Sequence, residues 1–318
     1  MKYSEYAIQR VLLFAPVLFG VSVLVFLVVH LVPGSPANAI LGVQATPELI
    51  DQVERELGLH QPLHVQFYEW FTGVLRGDLG MSFTERRPVA DVLTARFWVS
   101  FQLILMTLPV SVLFAVPLAI AAALRKHSMI DYASIGVGVV GVSIPTFFSA
   151  IVLMSIFGVW LGLVPISGYV SPREDLFESI RHMILPVMSM ALVAIAVIMR
   201  MMRSSMLENL GEDYLRFLKS KGLSRRSILL GHALKNSFIP VVTIIGLQFG
   251  YMLGGAVVIE EIFALPGIGR TVLDAVLGRD YPLVQGSVLL IAVWFGVVNL
   301  MTDLAVAYLD PRIMEESG

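Results

Sequence analysis

Apolar residues in this chain run in blocks rather than in narrow stripes. Six stretches contain no Asp, Glu, Lys or Arg: 11–30, 97–124, 132–170, 183–199, 237–259 and 282–302. A hydrocarbon core about 30 Å thick takes roughly 20 helical residues at 1.5 Å rise, so each stretch is long enough to cross it. The third has 39 residues and contains Pro145 and Pro165. Pro165 marks the expected exit from the membrane, leaving a tilted or kinked helix of about 30 residues. The pattern predicts an all-α polytopic membrane protein with six transmembrane helices. Residues 1–93 are expected to hold the first helix and a structured extracytoplasmic loop, 94–309 a core of five helices, and 310–318 a cytoplasmic tail.

Between the apolar blocks the period changes, and short amphipathic helices are expected. Thr46-Pro47 is an N-cap and first-turn pair, and Ile50, Val53 and Leu57 share a face before Gly58. A second such stretch follows Pro62, with Phe67, Trp70, Phe71 and Val74 on one face and Gly77 behind it. Pro88 opens a third, in which Val89, Val92, Leu93 and Arg96 lead into the second span as an interfacial elbow. Residues 204–236 are far longer than a connector requires. Leu207, Leu210, Tyr214, Phe217 and Leu218 fall at helical spacing among Glu208, Glu212, Asp213, Arg216, Lys219 and Lys221. Gly222 stops that helix, and Ser224 caps a second short helix that begins Arg225-Arg226 and runs through Leu230 towards His232 and Lys235. A basic surface helix lying on anionic lipid has the same pattern.

Composition supports the membrane reading: 57% of the 318 residues are hydrophobic and 14% charged. Lys2 and Arg10 before the first span, with Ala37-Asn38-Ala39 after it, imitate a secretory signal. The apolar region of 20 residues exceeds the roughly 7–15 of a cleavable signal and favours a retained anchor. Loop charges set the orientation. With the N-terminus inside, the cytoplasmic segments carry Lys2, Arg10, Arg125, Lys126, eight basic residues between 200 and 235, and Arg312. The short external loops carry four, Arg173, Arg181, Arg270 and Arg279, so both termini are expected in the cytoplasm of a multi-pass inner-membrane protein. The chain has no cysteine, which excludes disulfides and thiolate metal sites.

No engine of the chain's own is legible. There is no GxxxxGK[ST] phosphate loop, and the span interiors hold no carboxylate to relay ions. His30, Arg200, Arg203, Glu260, Glu261 and Asp303 sit near span ends and read as interfacial or helix-end groups. HExxH, GxSxG and paired intramembrane aspartates are missing, and His127, His182 and His232 lack ligand spacing. The competing classes are an ion-coupled secondary transporter and an enzymatic or structural membrane subunit. Within the spans, Ser143, Thr146, Gln248 and Asn299 are candidates for a translocation path or a helix seam, together with Pro145. Gln248 shares its helix with Gly246, Gly250 and Gly254, a small-residue stripe that lets another helix approach closely.

An ordered set of short motifs resembles the permease subunits of peptide-type ABC importers, specifically the B-type subunit of dipeptide and oligopeptide systems. The set runs from Gln9-Arg10 through Val32-Pro33-Gly34-Ser35-Pro36, Leu57-Gly58-Leu59, Gln61-Pro62-Leu63, Arg76-Gly77-Asp78-Leu79-Gly80 with Ser82, and Arg87-Pro88-Val89. It continues with Gly141 to Phe147, Asp213-Tyr214, Lys221-Gly222-Leu223-Ser224, Phe263, Pro266 to Arg270, Arg279-Asp280-Tyr281-Pro282, Gln285-Gly286 and Leu309 to Arg312. The resemblance implies a type I ABC importer permease fold that is not itself an enzyme. The implied partners are a second homologous permease subunit, two ATPase subunits that bind ATP and Mg, an extracytoplasmic substrate-binding protein and the lipid bilayer, with no nucleic acid. It also implies that Asp213 to Asn236 couples to the ATPase, with Asp213, Tyr214, Arg216, Phe217, Lys221, Gly222, Leu223, Ser224, Arg225 and Arg226 as the coupling residues. Gly222 matches the family's loop glycine. Arg216, Phe217 and Leu218 stand where the family has Glu-Ala-Ala, which changes the detail of docking, and Arg226 is expected to face acidic residues of the partner. The solute stays open among dipeptides, longer peptides, glutathione, metal chelates and sugars.

Overall fold

A computed structural model describes residues 3–31, 36–42 and 45–310. Lys2, Val32 to Ser35 of the first loop motif, and Pro311 and Arg312 lie outside the described residues. Helices make up the described chain: α1 (Tyr3–Leu31), α2 (Pro36–Leu41), α3 (Pro47–Glu56), α4 (Leu63–Leu75), α5 (Val89–Leu124), α6 (Met129–Ser143), α7 (Thr146–Leu153), α8 (Leu176–Gly211), α9 (Asp213–Ser220), α10 (Arg225–Ser227), α11 (Leu234–Ile262), α12 (Ile268–Leu277) and α13 (Tyr281–Leu309). Wider π turns extend α7 through Met154–Trp160 and join α10 to α11 through Ile228–Ala233. By length and composition, five helical segments can cross a membrane: Ala7–Leu31, Val89–Leu124, Leu176–Gly211, Arg225–Ile262 and Tyr281–Leu309. The sixth crossing is a bent pair, Met129–Ser143 with Thr146–Trp160.

That pair departs from the kinked helix expected over 132–170. Its two halves meet at 102°. Ile144 takes an extended backbone at φ −82°, ψ 121°, because the ring of Pro145 excludes the residue before it from the helical region. The second half ends at Trp160, ahead of Pro165. A further difference lies at Pro88. No separate elbow forms there, and the helix that starts at Val89 runs without a break to Leu124. Val89, Val92 and Leu93 are buried against Ala275 and Leu283 instead of lying on an interface.

The chain divides into two compact units, one comprising 1–7, 102–265 and 298–318 and the other 8–101 and 266–297. The first is organised around α8, which packs against α6, α7 and α11. Small residues set those distances. A Cβ on Gly141 would lie 2.7 Å from the Ala196 Cβ, and one on Gly246 would lie 2.2 Å from Thr302 Oγ1, so α6 and the end of α13 approach their neighbours at backbone distance. An ion pair adds to the α6–α8 contact. Arg203 Nε donates to Asp131 Oδ1 at 2.5 Å, and the His127 backbone N–H donates to Asp131 Oδ2 at 2.9 Å. Glu260, expected just past the fifth span, lies inside α11 with no exposed surface.

The second unit holds the loop helices. Thr46 caps α3 by accepting from the Leu49 N–H, and Gly58 and Gly77 follow α3 and α4 at φ +69° and +81°. Both conformations disfavour a side chain, which is why those helices stop there. Phe19 and Phe26 of α1 meet Phe67, Trp70 and Phe71 of α4 in edge and tilted ring contacts. Phe97, Phe101 and Trp294 stack. The Ile268 N–H at the start of α12 donates to the buried Ser100 hydroxyl at 2.8 Å.

Candidate functional site

Residues 212–236 comprise α9, α10, the π turns and the start of α11, with α9 held on a small apolar base. Glu212 leaves helical geometry at φ −69°, ψ 141°, which separates α9 from α8. That break resets the helical phase, so the stripe counted from Leu207 through Phe217 does not continue across it. The base consists of buried Leu215, Ile228 and Ala233 with half-buried Leu210, Tyr214, Leu218 and Leu223. Phe217, expected on the apolar stripe, is instead 57% exposed, with the Lys221 ammonium 4.6 Å from its ring centre. Leu215 takes the buried place. It escaped the sequence reading because its position shows only once the break at Glu212 is known.

The first turn of α9 carries two specific contacts. Arg216 pairs with Asp213 at 3.1 Å, and Asn236 Nδ2 donates to the Tyr214 hydroxyl at 3.0 Å, tying α9 to the first turn of α11. Gly222 turns the chain at φ +83° with nothing within 4 Å of where a Cβ would stand. Ser224 Oγ then accepts from the Ser227 N–H at 3.3 Å. The second short helix expected after this cap does not end near Lys235. No glycine turn or proline intervenes before α11, and π turns carry the chain into it. Arg225 and Arg226 are exposed and, with Ile120, Leu124, Met206, Leu229, Leu230 and Leu234, line a groove of about 370 Å³.

The path candidates lie at the bend between α6 and α7, along α11 and on α13. Ser143 Oγ donates back to the Val139 carbonyl at 2.8 Å, Pro145 caps α7, and the Thr146 carbonyl accepts from Ser149, so these residues make the hinge of the bent pair. Gly246, Gln248, Gly250 and Gly254 lie along α11. Gly246 is packed against Thr302, whereas nothing lies within 4 Å of a Cβ built on Gly254. Gln248 is 6% exposed, and its side chain makes no hydrogen bond among the described residues. Asn299 is half-buried on α13, one turn before Thr302.

On the second unit, one aspartate explains two of the sequence motifs. Asp280 has no exposed surface. Its Oδ2 accepts from Ser82 Oγ at 2.6 Å, the Thr84 N–H at 2.9 Å and Thr84 Oγ1 at 2.7 Å, while Oδ1 accepts from the Leu283 N–H at 3.2 Å. The segment after Arg76 to Gly80 is thereby fastened to the first turn of α13. His30 makes a second fastening: Nδ1 faces the Phe26 carbonyl at 2.7 Å and Nε2 faces Gln66 Oε1 at 3.1 Å. Gln66 Nε2 is committed to the Leu59 and Gln61 carbonyls, which fixes its amide oxygen towards the ring.

Comparison with known proteins covers nearly the whole chain. Residues 115–315 match the family described as binding-protein-dependent transport system inner membrane component, and residues 4–104 match its N-terminal counterpart. The chain is 38% identical to a dipeptide transport system permease protein of Alkalihalophilus pseudofirmus, covering 97% of this chain and 98% of that protein. It is 42% identical to a glutathione transport system permease protein of Salmonella choleraesuis and 40% identical to that of Escherichia coli K12, with the same coverage. With its apolar helices and those matches together, the chain belongs to the binding-protein-dependent transport system inner membrane components, as a B-type permease subunit of the ABC importers, a family whose members are not themselves ATPases.

Proposed function

We propose that this permease forms half of a translocation path for di- or oligopeptides or a related small solute such as glutathione, in a heterodimer with a second homologous permease. Two ATPase subunits bind ATP and Mg, and an extracytoplasmic binding protein delivers the solute to the loop within residues 31–96. Both termini lie in the cytoplasm, and the division at 93/94 separates the N-terminal helix and loop from the five-helix core. The names of the relatives support the solute class. The ion-coupled alternative gains no support from them.

The observation that carries the coupling assignment is α9 itself. It is a separate helix on an apolar base, with Phe217 and Lys221 presented outward and a left-handed glycine at its end. ATP-driven closure of the partner would push on that face, and the Tyr214–Asn236 contact would pass the displacement to α11. The hinge at Ser143, Pro145 and Thr146 and the open face of α11 around Gly254 are the parts we assign to the moving path. Gly222→Val tests the coupling assignment in the assembled importer in proteoliposomes. Insertion and ATP hydrolysis should persist while solute uptake is lost, and Gly222→Asn, which tolerates φ > 0, should retain most uptake. Normal uptake by Gly222→Val would overturn the assignment.

A further inference from the structure

The groove beside Arg225 and Arg226 combines two features that one class of ligand satisfies. Its walls are almost wholly apolar and come from three places: Ile120 and Leu124 at the end of α5, Met206 towards the end of α8, and Leu229, Leu230 and Leu234 where α10 passes into α11. Arg125 and Lys126 follow Leu124 directly. The groove therefore lies where a membrane-spanning apolar stretch gives way to charge. Arg225 and Arg226 line it, and neither has a side-chain hydrogen bond or ion pair among the described residues. Their place in a first helical turn works against the helix dipole, so they do not stabilise the helix that carries them. Arginine stems can lie along apolar surface while the guanidinium heads stay in water.

We propose that this groove is a site for an anionic phospholipid, with an acyl chain along Ile120, Leu124, Met206 and Leu230 and the phosphate bridged by Arg225 and Arg226. An acidic side chain of a protein partner would satisfy the guanidinium groups but leave the apolar groove open. A zwitterionic lipid would fill the groove without answering two adjacent cations. Guanidinium recognises phosphate oxygens through paired N–H donors, which suits it to this headgroup. The inference reassigns Arg225 and Arg226 from the ATPase to the bilayer, and it does not depend on α9 being the coupling helix.

The test is native mass spectrometry of the assembled importer after delipidation and titration with phosphatidylglycerol or phosphatidylcholine. Wild type should retain phosphatidylglycerol in preference by roughly fivefold per arginine, about thirtyfold for the pair. Arg225→Gln with Arg226→Gln should abolish that preference while weak binding of both lipids remains, and the double lysine variant should keep most of it. Leu124→Trp, which fills the groove, should lower retention of both lipids without removing the basic pair. Equal retention of the two lipids by wild type, or an unchanged preference in the double glutamine variant, would overturn the proposal. So would cross-linking of residues 225 and 226 to acidic residues of an ATPase subunit.

Discussion

Replacing Asp280 by alanine removes the acceptor for four donors at a site with no exposed surface. The Ser82 and Thr84 hydroxyls can rotate to other acceptors, but the Thr84 and Leu283 N–H groups cannot. The orphaned Leu283 N–H is buried and costs about 1–3 kcal/mol, while the loss of the Ser82 bond and of the bonds from exposed Thr84 adds about 1–2, so the variant should lose roughly 2–5 kcal/mol. Asp280→Asn keeps the shape and can leave its carbonyl oxygen facing Ser82 and Thr84, while its NH2 group meets the Leu283 N–H. It should lose about 1 kcal/mol, the usual worth of an N-cap. The assay is the monodisperse fraction of detergent-solubilised chain after heating, with hydrogen exchange over residues 78–88. Asp280→Ala should lower the apparent melting temperature by roughly 5–15 °C. Its exchange should rise in that segment, with Asp280→Asn well short of both effects. Equal shifts for the two variants, or less than about 2 °C for alanine, would refute the view that this carboxylate fastens the segment to α13.

Three further outcomes follow from named contacts. Gly246→Ala places a methyl 2.2 Å from Thr302 Oγ1 and should destabilise the chain by about 1–3 kcal/mol. Adding Thr302→Ala should recover only part of this in the same heating assay, because the residue 302 Cβ itself lies 2.8 Å away. Asp131→Ala leaves the Arg203 guanidinium, on a side chain 21% exposed, without its partner. It should cost about 3–5 kcal/mol, with a markedly smaller loss for Asp131→Ala combined with Arg203→Met; the thermal double-mutant cycle completed by Arg203→Met alone measures the coupling. Burial, and secondarily the nearby Glu174 charge, raises the Tyr169 phenol above its ordinary value of 10.0, against a lowering hydrogen bond from Ser171. The fold thus favours the neutral phenol, whose hydroxyl donates to Gln102 at 3.1 Å. Its contribution is complete below pH 10 and is lost as the pH rises above it. Tyr169→Phe should flatten the alkaline fall in stability, read by heating at pH 8 to 11.

The sequence by itself determined the elements whose cause is local. Charge-free blocks are legible because a lipid-facing helix needs no particular partner. Gly58, Gly77 and Gly222 announce the helix ends because left-handed geometry disfavours a side chain wherever it occurs. The family was legible too, since its short motifs keep their order along the chain. Tertiary structure decided what depends on phase and distance. Pro145 in sequence allows a kink or a corner, and the 102° bend is set by the packing of α6 and α7 on α8. Phe217 reads as buried until the break at Glu212 resets the helical phase and exposes it. Asp280 and Ser82 stand in separate motifs 198 residues apart, and only folding brings them within 2.6 Å. The groove at Arg225 and Arg226 is likewise absent from any local pattern, because its apolar walls come from the ends of three helices far apart in the chain.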